Sequence, residues 1–131
     1  MTPTQPTVGM AGETSHVVTD RDTAQALGSG SLPVLATPRL LAWLEGVSCH
    51  AIRGVLPPGS SSVGTRVSLE HLSASPVGAT VTCRADVVHV DGRLVRFELV
   101  ATRQDGSLIA HGELTRIILD EQRFLDRIVA D

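Results

Sequence analysis

The sequence has 131 residues, a formal net charge of −3 and 42% hydrophobic residues, which suits one globular domain with its own core. Only 2% of residues are aromatic and the 11 basic residues form no stripe, so phosphate tracking and base stacking lack their usual groups and no nucleic-acid partner is expected. No apolar run approaches the ~18 residues that cross a bilayer, and the first residues lack a charged-then-apolar leader, so the sequence points to no membrane and a cytoplasmic location.

Residues 1–13 are rich in Thr, Pro and Gly without a hydrophobic period, which predicts a flexible tail ahead of a single domain over 14–131. HVVTDRDTA, from His16, predicts a first strand running into a short helical turn. GSGSLP (28–33) reads as a connector and lacks the GxxxxGK[ST] pattern of a phosphate cradle. At Thr37-Pro38 a favoured N-cap precedes a favoured first helical residue. Leu40, Leu41, Trp43, Leu44, Val47, Ala51, Ile52 and Val55 then share one broad face, predicting a long amphipathic helix that Pro57-Pro58-Gly59 ends.

The second half is read as strands. Val63, Thr65, Val67, Leu69 and His71 alternate with Gly64, Arg66, Ser68 and Glu70, which places His71 in the apolar phase. After a turn at Pro76 to Gly78, a second series holds Val81, Cys83, Ala85 and Val87. Asp91-Gly92 signals a hairpin into Val95, Phe97, Leu99 and Ala101, and Asp105-Gly106 signals another. The last strand would carry Leu108, Ala110, Gly112, Leu114, Arg116 and Ile118 on one face, with Arg116 a charge where the pattern asks for a hydrophobe. A short terminal helix capped by Asp120 would follow. One long helix followed by a meander of strands is α+β: a hotdog fold, an antiparallel sheet wrapped around one central helix.

Three residues could carry chemistry. Thr37 lies beside free N–H groups and the positive end of the helix dipole, where an oxyanion is stabilised; it is also a plain N-cap. Glu45 sits at the edge of the apolar arc, where an unpaired carboxylate becomes a base or nucleophile; it is also an ordinary boundary Glu. His71 in the apolar phase can exchange a proton near neutral pH; it is also a satisfied core histidine. His16, His50, His89 and His111 show no metal-ligand spacing, so no metal and no cofactor are expected. Cys49 and Cys83 lack CxxC spacing and read as small buried hydrophobes. No GxSxG elbow is present.

Together, LPVLATPRLLAWLE, SSVGTRVSLEHLSASPVGATVT and VDGRLVRFELVATRQDGSLIAHGELTRIIL resemble the fluoroacetyl-CoA thioesterase-like branch of hotdog proteins over roughly residues 14 to 125. The resemblance implies an acyl-CoA or acyl-carrier thioester hydrolase with Thr37, Glu45 and His71 as its triad, Gly64 at the substrate carbonyl and Arg116 near the acyl pocket. It implies a homodimer with its sites at the subunit interface. Glu45 would attack the thioester or activate water, with Thr37 orienting and His71 assisting hydrolysis. Fluoroacetyl selectivity in that family is associated with phenylalanines ahead of the helix; here Leu32 and Val34 stand there, which implies a different small or medium acyl group. The alternative function is a non-catalytic hotdog protein that holds acyl-CoA or another apolar ligand. A hotdog hydratase is disfavoured, because no Asp-His dyad is found.

Overall fold

The computed structural model describes residues 5–129. In chain order these form strand β1 (Ala11–Val17), a single 3-10 turn (Asp20–Asp22), helix α1 (Ala24–Leu27), helix α2 (Thr37–Ile52) with a 3-10 extension (Arg53–Val55), strands β2 (Ser60–His71), β3 (Thr80–Asp91), β4 (Leu94–Arg103) and β5 (Leu108–Asp120), and helix α3 (Glu121–Val129). The strands make one antiparallel sheet in the order β1-β3-β4-β5-β2. It packs around α2, the expected architecture.

The core follows from the two periodicities. Leu40, Leu44, Val47 and Ile52 of α2 are buried and meet Val81, Cys83, Ala85 and Val87 of β3 and Val95, Phe97, Leu99 and Ala101 of β4 within one cluster. With few aromatics available, Leu, Val and Ala fill the interior, and Phe97 is its one buried ring among the described residues. Both Asp-Gly signals mark turns, with Gly92 at φ 59° and Gly106 at φ 86° supplying the left-handed backbone. Asp120 caps α3, its Oδ1 accepting from the Arg123 N–H at 2.9 Å.

Four expectations are corrected. The segment up to residue 13 is not all tail: β1 starts at Ala11 and pairs with β3, and Val87 N–H donates to Met10 O at 2.8 Å. Gly12 explains the strand, since a Cβ there would lie 2.9 Å from Val47 O of α2; the sequence period shows no such contact. Residues 1–4 of the expected tail lie outside the described residues.

Thr37 is not the N-cap of α2. Ala36 holds that position without a side-chain bond, and Thr37 and Pro38 open the helix. The helix proper ends at Ile52, and the 3-10 turn Arg53–Val55 carries the chain on to the Pro57-Pro58-Gly59 stop.

Strand phase is the third correction. The β2–β5 register skips Thr65, pairing Gly64 with Arg116 and Arg66 with Thr115. This bulge puts Gly64 on the same face as Val67, Leu69 and His71. A second bulge lets Thr102 pair with Leu108 while Ala101 pairs with Ala110, so Ile109 is buried and Leu108, expected inside, is 43% exposed.

Cys83 is buried as expected, and desolvation pushes its thiol up to about 12. Cys49 is only partly buried, the fourth correction.

Candidate active site

The start of α2 is held against two neighbours. Ala36 N–H donates to Asp22 O at 2.9 Å, and the Arg39 guanidinium pairs with the Asp22 carboxylate at 3.0 Å. Leu35 N–H donates to Ser75 O at 2.8 Å, tying the loop ahead of the helix to the loop after β2. These ties bring the first residue of α2 to the last residue of β2, and Thr37 Oγ1 lies 2.8 Å from His71 Nδ1. The hydroxyl is thus free of capping duty and engaged with an imidazole.

His71 is partly buried. Desolvation lowers its pKa from the usual 6.5, and the nearby Ser73 backbone opposes this only in part. The ring is therefore neutral at neutral pH and able to take a proton. Its Nε2 is buried without a hydrogen-bond partner, a valence that a bound group would complete. Thr37 and His71 line an open cleft of about 250 Å³ together with Val34, Leu35 and Ser73. Of the two expected loop residues, Val34 lines this cleft, whereas Leu32 is 63% exposed.

Glu45 belongs to a second cleft within the same chain, about 200 Å³, lined also by Gly64, Thr65, Arg66, Val67 and Leu114. It stands eight residues from Thr37, roughly 12 Å along the helix. Its Oε2 lies 3.8 Å from Arg116 Nη1, and a Cβ added to Gly64 would come within 3.0 Å of the same oxygen. Arg116, the odd charge of the sequence, is buried; its Nε donates to Ser62 Oγ at 2.9 Å and its Nη2 to Ser62 O at 3.0 Å. The chain thus groups the expected residues as Thr37–His71 and Glu45–Gly64–Arg116. Ser62 was missed by sequence reasoning; its only signal is the register that sets it two residues before Gly64.

His16 stacks on Trp43, with centroids 4.4 Å apart and planes at 4°, a structural role. Among the described residues no group of three His, Cys, Asp or Glu could hold a metal ion.

The profile described as fluoroacetyl-CoA-specific thioesterase matches residues 18–122. The chain belongs to the fluoroacetyl-CoA-specific thioesterase family. Within that family, it is 32% identical over 92 residues to the fluoroacetyl-CoA thioesterase of Streptantibioticus cattleyicolor, a match spanning 70% of this chain and 65% of the relative's length. A solved structure of the fluoroacetyl-CoA thioesterase FlK superposes with a TM-score of 0.88 at 26% identity, over 96% of this chain and 97% of that one. A Thermus thermophilus thioesterase superfamily member gives a TM-score of 0.83 at 25% identity, with 100% of each chain covered. A hot-dog-like protein of Thermanaerovibrio acidaminovorans, at 23% identity and a TM-score of 0.85 over 94% of this chain and 90% of its own, shares the fold. The hotdog architecture is confirmed by these neighbours. No helix among the described residues is long and apolar enough to cross a membrane.

Proposed function

We propose that this chain hydrolyses the thioester of a small or medium acyl-CoA, using Thr37, Glu45 and His71. The observation that carries this reading is the 2.8 Å contact between Thr37 Oγ1 and His71 Nδ1, at the start of a helix that also bears Glu45, in a chain of the thioesterase family. Support for the substrate class comes from FlK, solved as a variant in complex with acetyl-CoA and as another with fluoroacetate and CoA.

The chemistry follows from the groups present. Early N–H groups of α2 lack intrahelical partners and Ala36 offers no side-chain cap, so the helix start can stabilise a developing oxyanion. Glu45 either attacks the thioester carbonyl, expelling the thiolate and leaving an anhydride that water cleaves, or takes the proton from the attacking water. In the first route His71, neutral and bonded to Thr37, accepts the proton of the hydrolytic water. Val34 and Leu35 border the acyl group beside the Thr37–His71 pair, and Gly64 and Arg116 border Glu45.

The functional unit is proposed to be a homodimer in the cytoplasm. β2 is an edge strand, exposed from Gly64 to Ser68, and an unpaired edge of this length asks for a partner. A second copy along that edge would join the two clefts that lie apart within one chain. Two free cysteines suit a reducing compartment.

Purified protein should release thiol from short acyl-CoAs, and mass spectrometry should find or exclude an acyl adduct on Glu45. Acyl-CoA that raises the melting temperature without thiol release would instead support the non-catalytic binder.

A further inference from the structure

Arg116 is the one buried charged side chain among the described residues, and two of its three nitrogens are committed to a single residue. Nε donates to Ser62 Oγ and Nη2 to Ser62 O, at 2.9 and 3.0 Å. A guanidinium is planar and rigid, so two bonds to one residue fix the orientation of the whole fork. The remaining nitrogen, Nη1, is the one near Glu45 Oε2.

Gly64 keeps this approach open. It pairs directly with Arg116 across the β2–β5 register, and a Cβ there would sit 3.0 Å from Glu45 Oε2 and 3.7 Å from Arg116 Nη1. Glu45 has a 43% exposed side chain, against 8% for Arg116. A half-exposed glutamate samples several rotamers unless a fixed group selects one. Among the described residues, Arg116 is its only ion-pair partner.

We infer that Ser62 is a positioning residue: by gripping Arg116 with its hydroxyl and its carbonyl, it aims Nη1 at Glu45 and sets where the Glu45 carboxylate stands relative to the bound thioester. This rests on the hydrolase reading above. It also changes the part given to Arg116, whose Nε and Nη2 are bonded to Ser62 and whose Nη1 faces Glu45; its work is to orient Glu45 rather than to bind the acyl group.

The test uses the full chain and acetyl-CoA. Ser62→Ala deletes one hydrogen bond to a charged group and should lower kcat about 10-fold, with KM within about twofold of wild type and the melting temperature nearly unchanged. Ser62→Thr, which keeps the hydroxyl, should recover most of kcat. Arg116→Lys keeps the charge without the fork and should lose at least as much as Ser62→Ala. The double variant Ser62→Ala/Arg116→Lys should be no slower than Arg116→Lys alone, because Ser62 acts through Arg116. A Ser62→Ala enzyme with wild-type kcat, a loss confined to KM, or a double variant whose losses multiply overturns the inference and leaves the hydrolase reading standing. A wild-type protein that cleaves no thioester ends both.

Discussion

Thr37 Oγ1 and His71 Nδ1 stand 2.8 Å apart, joining the first residue of α2 to the last residue of β2. The contact exists because Ala36, not Thr37, caps the helix. Replacing Thr37 with Ala should therefore cost little helix stability while removing a hydroxyl that orients the imidazole. A loss of about 100-fold in kcat is expected, with Thr37→Ser keeping most of it; steady-state kinetics beside a melting curve separates the two effects.

Burial holds the His71 pKa below 6.5. In activity, the acid limb of kcat/KM should fall at a pH below 6.5, where the neutral ring is lost. In stability, the unfolded chain binds the proton more readily than the folded one between the lowered value and 6.5. Stability is thus fully present above 6.5 and falls as pH drops toward the folded value. His16, lowered mainly by desolvation as well, adds in the same direction. Melting temperatures between pH 5 and pH 8 should show this slope, and His71→Asn should flatten it; an unchanged slope in that variant would assign it elsewhere.

Gly64→Ala places a methyl group 3.0 Å from Glu45 Oε2. That oxygen ends a flexible side chain and can move, so folding should survive with under about 1 kcal/mol of loss. The carboxylate, however, is displaced, and kcat should drop about tenfold or more. Comparing thermal unfolding with turnover checks this split; equal, small effects on both would speak against a close Glu45–Gly64 approach in solution.

Gly12→Ala meets backbone instead, with Val47 O at 2.9 Å and Ala51 N at 3.1 Å. Neither can yield without moving β1 from α2, so a destabilisation of about 1–3 kcal/mol is expected by chemical denaturation. A neutral result would show that residues 11–17 do not pack on the helix.

The central helix, both Asp-Gly hairpins and the inward faces of β3 and β4 were legible because each rests on a local period or turn requirement. Phase in β2 and β5 was not. The Thr65 bulge depends on pairing between strands some fifty residues apart, and the Ile109 bulge on how β5 registers against β4; each flips the sides that alternation assigns. The start of β1, ahead of His16, was hidden for a related reason: Gly12 suits that strand because α2 passes close over it. At the site, Thr37, Glu45, Gly64, His71 and Arg116 could be picked out by chemistry or by resemblance, yet their grouping into two clefts came from tertiary ties such as Ala36–Asp22 and Leu35–Ser75. Ser62, the last of three consecutive serines at the start of β2, carries no mark of its own.

The most direct measurement is thiol release from a panel of acetyl-, butyryl- and hexanoyl-CoA by the wild-type protein and by Thr37→Ala, Glu45→Ala and His71→Ala. Turnover by the wild type with a loss of about 100-fold or more in each variant is the expected result. Wild-type rates in all three variants, or no thiol release from any substrate by the wild type, would contradict it.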